Sequence, residues 1–535
     1  MTKLPKTALM LMMVTVSLAI GNCAFGQVHD PKATELKFNE VIHLLNTCYL
    51  DSVNNNRLTE IAVKAMLKDL DPHSSYISAK DIKKMNEPLE GSFEGVGINY
   101  QLLRDTVFIT SAINDGPAKR AGLMNGDRIV KIGGKEATGK QAGETFVVAN
   151  LRGKKGSQVE VTVLRNPGQH IFNFMVERDN IPIHSIDLAY MVDKEIGYIK
   201  LNRFSATTMQ EFRQAFKSLK EKKMTELILD IRGNGGGYLN AAIDLCEEFL
   251  KKDQLIVSTK GLNSPEVKYV SHGNGKYDTG RLIILVDESS ASASEILSGA
   301  IQDHDRGILA GRRTYGKGLV QKPYYLPDGS MIRLTTARYY TPCGRCIQKP
   351  FSEGAEKYFR EIAFRREKGE FVHPDSIHFP DSLRFATGVG RTVYGGGGIV
   401  PDVFLPIDTT VQDPLYLEAS KNNMFSEFTL AYLEGKRELM KIQFPDSDSF
   451  AKDFVVDDQT FKSFVEALML KTKKVDDKDI AGGNALVKNQ IKASFGRDLY
   501  DQETYYRVIM DYDPWVIAVL KMMNDGKVFS NLDEK

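Results

Sequence analysis

Segments typical of strands and of helices alternate between about residues 180 and 345, and this alternation limits the fold more than any other feature of the chain. Such a pattern predicts a layered α/β core. The strand-like runs are residues 197–201, 227–231, 282–286 and 307–310, and the helix-like runs are residues 207–223, 238–251 and 294–303.

The regions around this core differ in composition, and a chain of 535 residues has room for roughly three or four domains. Helical spacing of apolar residues predicts a helical N-terminal region over residues 27–88 and a helical C-terminal region over residues 411–535. Short strands separated by glycine turns occupy residues 89–178. The core then covers residues 179–410, with a charged, irregular insertion or linker at residues 350–395.

The N-terminus has the composition of a secretory signal peptide. Two lysines precede an apolar run over residues 8–20, which falls short of the roughly 20 residues that a membrane-spanning helix needs. Ala24-Phe-Gly26 supplies a small-x-small cleavage pattern, so we predict a signal peptide at residues 1–26 and an exported, periplasmic protein. A lipoprotein acylated at Cys23 ranks second, because the asparagine before it fits that signal poorly.

Charge and cysteine content exclude several classes of function. The formal net charge is +1, so no basic face predicts a nucleic-acid partner or an anionic membrane surface. Five cysteines are too few for a disulfide framework in a chain of this length. Cys343 and Cys346 have metal-ligand spacing, but no second Cys or His pair accompanies them. We therefore predict no metal or cofactor, and either a reduced pair or a local disulfide.

A run of small side chains from Ser289 to Ser294, followed by Glu295, joins the strand at residues 282–286 to the next helix. A strand-to-helix turn exposes a serine oxygen, and the N-terminus of a helix favours developing negative charge. Lys317 follows downstream between two glycines. A serine and a lysine without a nearby histidine suggest a hydrolase with a Ser/Lys dyad. Taken alone, the segments also fit a helix cap and a solvated turn, and any of the four serines could be the nucleophile.

Residues 230–237, Asp-Ile-Arg-Gly-Asn-Gly-Gly-Gly, end a predicted strand and open a helix. Consecutive glycines let backbone N–H groups point into a cleft, as in an oxyanion hole or a phosphate cradle. Neither a P-loop Gly-Lys-Ser/Thr nor a Gly-x-Gly-x-x-Gly follows the strand, which argues against nucleotide binding. A glycine-rich turn without chemistry is the alternative.

Residues 89–178 resemble a PDZ domain in the order of their strands, turns and short helix. The resemblance implies that Gly95, Val96, Gly97 and Ile98 form the carboxylate-binding loop, whose N–H groups hold the end of a peptide that pairs with a sheet edge. The alternative is an unrelated small β-rich domain. The most specific matches are Gly116-Pro-Ala118, Ala121-Gly-Leu123 and Gly126-Asp-Arg-Ile129.

Six segments together resemble the carboxy-terminal processing (tail-specific) proteases, a family of periplasmic or lumenal serine peptidases. The segments follow the family's order from about residue 35 to 345, an agreement not expected by chance. The resemblance implies a multidomain α/β fold in which a PDZ domain accompanies a crotonase/Clp-protease-like peptidase core. The segments are Leu70–Tyr76, Phe93–Ile98, Asp230–Gly237, Ser290–Ile296, Thr314–Gln321 and Arg338–Pro342.

The resemblance also assigns roles to individual residues. It implies that Ser292 is the nucleophile, that Lys317 is its base (317 − 292 = 25 positions further on), and that Gln321 orients the lysine. Backbone N–H groups of Gly237 and Ala293 would form the oxyanion hole. Asp303 matches an acidic position noted in the family, although a partly solvated carboxylate at a helix end fits equally well.

The chemistry of these residues is coherent. A lysine accepts a proton only when neutral, and lowering its pKa from about 10.4 to near 7 costs about 4 kcal/mol, which burial can supply. The amide of Gln321 can hold the amine without adding a charge that would stabilise the ammonium. One departure is that the family often has Asn-Pro-Gly-Gly where this chain has three glycines after Asn234, which removes a rigid proline but keeps the glycines.

The sequence therefore predicts an exported serine endopeptidase that works through an acyl-enzyme and takes proteins with apolar C-termini as substrates. A non-catalytic, tail-binding adaptor with the same fold is the second hypothesis, and a cell-envelope scaffold that presents its C-terminal helices is the third. The presence of Ser292, Lys317 and Gln321 favours the enzyme. An activating adaptor, and a homo-oligomer formed through the helical terminal regions, are partners that this hypothesis allows.

Overall fold

The computed structural model describes residues 31–530 and 532, apart from residues 104, 114–115, 140–142, 166–169, 409–412, 473 and 475. The predicted signal peptide, with Cys23, lies outside the described residues. The chain divides into two compact units, residues 1–67 and 68–535. The described part of the first unit contains α1 (Pro31–Cys48) and most of α2 (Asn55–Leu70), and these two helices account for the helical periodicity of the sequence. None of the residues of α1 is buried, and its apolar side chains Leu36, Phe38, Val41 and Leu44 are exposed.

After the end of α2, the second unit continues with β1 (Ser75–Ile77) and α3 (Ala79–Glu90), which ends at Gly91 in the left-handed conformation. A small β domain follows. In its main antiparallel sheet, of order β3-β4-β5-β7-β8 with β6 beside β5, the strand β3 lies at the edge, while β2 and β9 pair with each other. Its elements are β2 (Ser92–Gly95), β3 (Ile98–Leu103), β4 (Thr106–Ala112), α4 (Pro117–Ala121), β5 (Arg128–Ile132), β6 (Lys135–Glu136), α5 (Glu144–Leu151), β7 (Gln158–Arg165), β8 (His170–Glu177) and β9 (Asp179–Pro182).

The α/β core comes next. Its central sheet has the order β10-β11-β12-β15-β16-β21, in which β10 is antiparallel to β11 and every other pairing is parallel. A second sheet has the order β1-β18-β13-β14, with β17 beside β18. The elements are β10 (Ile186–Met191), β11 (Ile196–Leu201), α6 (Thr208–Glu221), β12 (Glu226–Asp230), α7 (Leu239–Glu247), β13 (Leu255–Gly261), β14 (Ser264–Val270), β15 (Leu282–Val286), α8 (Ala293–Asp303), β16 (Ile308–Gly311), β17 (Leu319–Tyr325), β18 (Met331–Tyr340), α9 (Ala355–Glu367), β19 (Arg384–Ala386), β20 (Thr392–Tyr394) and β21 (Val403–Phe404).

The segment at residues 350–395 was expected to be irregular, but it contains regular secondary structure. It contains the 13-residue helix α9 and the hairpin β19–β20. The helix lacks apolar periodicity because its buried side includes Arg365, which is only 3% exposed and pairs with Glu370 at 3.0 Å. A helix that buries an ion pair does not show the apolar spacing on which the sequence-based prediction depended.

The C-terminal region is helical, as its periodicity indicates, and has an aromatic core around Phe425, Phe428, Phe464 and Phe495. None of the helices in the described part of the chain is long and apolar enough to span a membrane. The helices are α10 (Pro414–Lys421), α11 (Met424–Leu433), α12 (Arg437–Gln443), α13 (Ser447–Asp453), α14 (Asp458–Met469), α15 (Asp477–Leu499), α16 (Gln502–Met510) and α17 (Pro514–Asp525).

Helices cover both faces of the central sheet. Side chains of α6, α7 and α8 pack on one face. On the other face, Trp515, Val516 and Val519 of α17 pack against the strands. All five residues of β15 are buried, which explains the continuous apolar run in its sequence.

Candidate active site

The candidate site lies at the ends of two neighbouring parallel strands. The strand β12 leads into residues 230–237, here called the glycine loop, and β15 leads into residues 287–292, here called the serine turn. Parallel neighbours end at the same edge of a sheet, so the two segments meet. The carbonyl oxygen of Asn234 accepts hydrogen bonds from the amide of Ala291 at 3.0 Å and the hydroxyl of Ser294 at 2.8 Å. One peptide carbonyl thus fastens the glycine loop to the serine turn.

The backbone of Ser292 is strained. Its φ of 56° and ψ of −111° place a non-glycine residue at a positive φ, which is costly and tends to occur at functional sites. The residue is half-buried at the N-terminus of α8, and its amide donates to Glu295 Oε2 at 2.9 Å. The positive end of the helix therefore lies beside the side chain predicted to be the nucleophile.

Hydrogen bonding distinguishes the four serines that sequence reasoning left open. Ser290 Oγ donates to the Ile231 carbonyl and Ser294 Oγ to the Asn234 carbonyl, each at 2.8 Å, and both residues are fully buried. Ser289 is exposed. Two of the four hydroxyls therefore stabilise the turn, and among these serines Ser292 is the one with a strained backbone and partial exposure.

The Lys317 ammonium has a neutral acceptor. Its Nζ donates to Gln321 Oε1 at 3.0 Å, and Gln321 Nε2 donates to the carbonyl of His73 at 2.6 Å. Burial, with Arg333 as a second contributor, lowers the pKa of Lys317 below its ordinary value, against the opposing effects of Glu295 and Asp71. The environment thus shifts the equilibrium of Lys317 towards the neutral amine, which is the form that a general base requires.

Glu295 joins the serine turn to the lysine segment. Its Oε2 accepts hydrogen bonds from the amides of Ser292 and Lys317, each at 2.9 Å. Its Oε1 accepts from the Gly316 amide at 2.7 Å and the Thr314 hydroxyl at 2.6 Å. Burial raises the pKa of this fully buried carboxyl group, while its four donors oppose the rise. One carboxylate therefore sets the backbones of both predicted catalytic residues.

Tyr339 supplies a second connection between them. Its hydroxyl lies 3.1 Å from the carbonyl oxygen of Ser292 and 2.8 Å from that of Lys317, and can donate to either. The residue is 1% exposed, so its donor has no access to bulk water. Sequence reasoning assigned no role to Glu295, Tyr339 or His73, although each lies inside a segment that carried the family resemblance.

The glycine loop approaches Ser292 closely. A Cβ atom on Gly236, whose φ is +97°, would lie 2.7 Å from the Ala291 carbonyl oxygen and 3.0 Å from the Ala293 amide nitrogen. Among the described residues, none accepts a hydrogen bond from the amide of Gly237 or Ala293. Unpaired amides beside a nucleophile are what an oxyanion hole provides.

The C-terminal helix α17 supports the glycine loop. Asp230 is fully buried, and although burial opposes its ionisation, Arg232 and Lys200 hold its pKa well below the ordinary value. Arg232 also binds Asp513 Oδ2 at 2.8 Å and lies over the ring of Trp515, 5.2 Å from its centre. A part of the chain far from the glycine loop in sequence thus contributes to its shape.

Asp303 lies at the opposite end of α8 from Ser292. The carboxylate is buried, and it pairs with Arg345 at 2.6 Å and accepts the Cys343 amide at 3.0 Å. The alternative of a partly solvated carboxylate is therefore wrong. Cys343 and Cys346 are both free thiols. In the described part of the chain, no group of three or more His, Cys, Asp or Glu residues is arranged to hold a metal ion.

The predicted peptide-binding loop joins β2 to β3, with Gly95 ending β2 and Ile98 starting β3. The carbonyl of Val96 accepts the Ala118 amide at 2.9 Å, and that of Gly97 accepts the Ile113 amide at 3.0 Å. Among the described residues, no acceptor is found for the amides of Val96 and Gly97. Their carbonyls fix the loop while two amides stay available.

Comparison with known proteins shows which family the chain is similar to. Models of peptidase family S41 and of a PDZ domain match residues 195–355 and 95–174, and a family of unknown function, DUF8443, matches residues 415–501. A carboxy-terminal-processing protease of Bartonella bacilliformis is 36% identical over 317 residues, which cover 58% of this chain and 72% of that protein. The chain belongs to the carboxy-terminal processing proteases of peptidase family S41.

Two further relatives illustrate the match. A probable CtpA-like serine protease of Staphylococcus haemolyticus is 32% identical over 377 residues, covering 69% of this chain and 75% of that protein. The solved photosystem II D1 C-terminal processing protease is 26% identical, with a TM-score of 0.37, and the match covers 69% of this chain and 86% of that chain.

Membership in this family confirms four predictions: the family itself, the serine-type processing peptidase activity, the PDZ domain and the multidomain α/β fold. The domain boundaries and the individual site residues stay predictions. Helix α17 lies wholly outside the matched segments, and so does all of α9 except its first residue. Yet Tyr358 of α9 contacts His73, and Trp515 of α17 contacts Arg232.

Proposed function

We propose that this carboxy-terminal processing protease is an exported endopeptidase that binds the apolar C-terminus of a protein in its PDZ domain and cleaves with a Ser292/Lys317 dyad. The observation that carries the proposal is the environment of Lys317: burial lowers its pKa, and the partner of its Nζ is the neutral amide of Gln321 at 3.0 Å. A lysine held in this way is suited to accept a proton at a lower pH than a free lysine would.

The reaction proceeds in two halves. The neutral Lys317 amine takes the proton of the Ser292 hydroxyl as the oxygen attacks the scissile carbonyl carbon, and the resulting ammonium then protonates the departing amine. An acyl-enzyme ester remains on Ser292. Water attacks this ester, Lys317 takes the water proton, and the same proton returns to Ser292 as the ester bond breaks. Each half restores the neutral amine.

The amides of Gly237 and Ala293 stabilise the oxyanion that forms in both halves. They belong to the glycine loop and to the first residue of α8, so the partial positive charge of the helix adds to their effect. Because Asn234 fastens the loop to the serine turn, the two donors keep their positions relative to Ser292.

The PDZ domain selects the substrate. The amides of Val96 and Gly97 hold the terminal carboxylate, with Gly95 and Ile98 flanking them, and the preceding residues of the tail pair with the edge strand β3. Charge-assisted hydrogen bonds to a carboxylate contribute about 1.5–3 kcal/mol each, so recognition depends on a free C-terminus.

The signal-like residues 1–26 support a periplasmic location, with lipid attachment at Cys23 as the second possibility. The exposed apolar side chains of α1, among them Leu36, Val41 and Leu44, support a homo-oligomer formed through the terminal helices. An activating adaptor also fits this class of enzyme.

A cleavage assay tests the proposal. The full chain is incubated with a denatured protein that ends in apolar residues, and fragments are followed by gel electrophoresis and mass spectrometry. Wild type is expected to cleave, whereas Ser292→Ala, Lys317→Ala and Lys317→Arg lose at least about a thousandfold in rate while keeping the wild-type melting temperature. Substantial cleavage by Ser292→Ala would overturn the assignment of the nucleophile.

A further inference from the structure

Helix α9 places the buried hydroxyl of Tyr358 beside the residues that hold Lys317. Tyr358 is 2% exposed, and its hydroxyl lies 2.7 Å from His73 Nε2. The two rings meet edge to face, with their centres 5.1 Å apart. The matched peptidase segment covers residues 195–355, so neither Tyr358 nor His73 belongs to it.

A chain of hydrogen bonds leads from this hydroxyl to the Lys317 amine. Tyr358 holds the imidazole of His73 at 2.7 Å, and the carbonyl of His73 accepts Gln321 Nε2 at 2.6 Å. The other end of the same amide, Gln321 Oε1, accepts Lys317 Nζ at 3.0 Å. An amide has only two ends, so fixing its nitrogen on a carbonyl also fixes the direction of its oxygen.

The backbone of His73 is held from its other side by Asp71. The carboxylate oxygen Oδ1 of Asp71 accepts the amides of His73 and Ser74, each at 2.8 Å. The carbonyl of His73 is therefore positioned by two anchors, a carboxylate on its amide side and the Tyr358 hydroxyl on its side chain.

Tyr358 reaches the lysine segment by a second route. Gln348 Nε2 donates to the Tyr358 hydroxyl at 3.3 Å, and Gln348 Oε1 accepts the Gly318 amide at 2.8 Å. The amide of Gly318 belongs to the residue after Lys317. One hydroxyl is thus connected both to the side chain of the lysine and to the backbone beside it.

The charges around His73 are consistent with this arrangement. Burial lowers the pKa of His73 to about 4, and Lys317, while it carries its proton, and Lys349 add to this effect against the opposing Asp71. The imidazole is therefore neutral at pH 7. A neutral ring can accept the Tyr358 proton at Nε2 while Tyr358 accepts the proton of Gln348. The hydrogen-bond donors and acceptors of His73, Tyr358 and Gln348 are therefore mutually compatible.

We propose that Tyr358 is a positioning residue for the catalytic lysine, acting through His73 and Gln321, and that the segment at residues 350–395 exists in part to supply it. The inference rests on the proposed Ser/Lys mechanism and adds to it a part of the chain outside the matched peptidase segment. Misplacement of a reacting group by about 1 Å is sufficient to slow a reaction about a hundredfold.

The test removes the hydroxyl alone. Tyr358→Phe keeps the ring and is expected to lower kcat about tenfold with KM changed less than twofold. The rate at which a fluorophosphonate labels the serine, a readout independent of tail binding, falls by the same factor. Tyr394→Phe is the matched control, because it lies in the same insertion and, in the described structure, its hydroxyl has no hydrogen-bond partner. Its kcat should equal that of wild type.

A double-mutant cycle decides whether the effect passes through Gln321. If it does, Tyr358→Phe lowers kcat less than twofold when Gln321 is already replaced by alanine. His73→Ala should likewise lower kcat in the wild-type protein and much less in the Gln321→Ala protein, and it serves as the second variant should Tyr358→Phe not fold. The inference would be overturned if Tyr358→Phe lowered kcat by the same factor with and without Gln321, or if it left kcat unchanged.

Two other results have different meanings. Activity in Ser292→Ala or Lys317→Ala would reject the proposed function. Full activity in Gln321→Ala would reject this positioning role while leaving the dyad intact.

Discussion

At the residue scale, the charge of Lys317 controls the proposed reaction, because only the neutral amine can take the proton of a serine. Burial and Arg333 lower its pKa, whereas Glu295 and Asp71 oppose the shift. The folded protein therefore releases the lysine proton at a lower pH than a free lysine does.

The pH dependence of the rate follows with a definite sign. Activity should rise with pH as Lys317 loses its proton and then level off, with a midpoint below the free-lysine value of about 10.4. The measurement is kcat/KM against pH with a peptide whose only ionisable group is its C-terminal carboxylate. A midpoint at or above the free-lysine value would mean that the lysine is not held as the structure indicates.

The glycine loop offers a matched pair of substitutions. A Cβ on Gly236 would meet the Ala291 carbonyl at 2.7 Å and the Ser292 Cβ at 2.9 Å, whereas a Cβ on Gly235 has no atom within 4 Å. Gly236→Ala should lower kcat at least about a hundredfold, the usual effect of losing an oxyanion donor, because the loop must move away from the serine turn. Gly235→Ala should stay within about twofold of wild type. Equal rates in the two variants would contradict the close approach.

Sequence reasoning reached part of this site and missed the rest for a physical reason. The resemblance implied Ser292 and Lys317, but residue patterns alone did not show which of the neighbouring serines is the nucleophile. The structure distinguishes them because the hydroxyls of Ser290 and Ser294 donate hydrogen bonds to backbone carbonyls of the glycine loop. Tyr339 is connected to Ser292 across 47 positions, and Gln321 to His73 across 248. Local spacing carries no record of such contacts.

At the element scale, α17 connects the C-terminal region to the glycine loop through hydrogen bonds. Asp513 uses one carboxylate oxygen, Oδ1, to cap α17 at the Trp515 and Val516 amides, and the other, Oδ2, to bind Arg232 at 2.8 Å. The helix and the loop therefore share a single carboxylate.

Replacing that carboxylate should affect both elements. Asparagine has one carbonyl oxygen, so Asp513→Asn cannot cap the helix and accept from Arg232 together. We expect a loss of about 1–2 kcal/mol in stability, a melting temperature lower by about 2–4 °C, and a kcat reduced about fivefold. Trp515 is the only tryptophan of the chain, so its fluorescence reports the local change. Asp457→Asn is the control, because Asp457 caps α14 through Thr460 at 2.7 Å without such a bridge. An equal change in kcat in both variants would contradict a specific role for α17.

The elements show which parts of the fold could be predicted. The buried strands and amphipathic helices of the core follow the apolar pattern, and β15 occupies its predicted residues 282–286. Helix α9 was missed because its buried residues, Arg365 and Tyr358, both carry polar groups, so they do not produce the apolar spacing of an amphipathic helix. That α17 covers the second face of the central sheet is a long-range contact that periodicity cannot indicate.

At the scale of the whole molecule, the proposed function assigns recognition and cleavage to different domains. The PDZ domain presents β3 as a sheet edge, and the Val96 and Gly97 amides lie at the start of that edge. Substrate choice and bond cleavage should therefore be separable by mutation.

Binding of a protein tail tests the first of these two functions. Peptides that end in apolar residues should bind the full-length Ser292→Ala protein at least about tenfold more tightly as free acids than as C-terminal amides, since only the acid gains the charge-assisted hydrogen bonds. Calorimetric titration with matched acid and amide peptides gives the ratio. Equal affinities would assign substrate selection to the protease cleft.

The central claim is that Ser292 is activated by Lys317, and the most direct measurement maps where a serine-reactive phosphonate attaches. Wild type is treated with a fluorophosphonate, digested and analysed by mass spectrometry. The account predicts one adduct, on Ser292, formed at least about a thousandfold more slowly in Lys317→Ala because the general base is missing. An adduct on Ser289, Ser290 or Ser294, or labelling of Lys317→Ala at the wild-type rate, would contradict it.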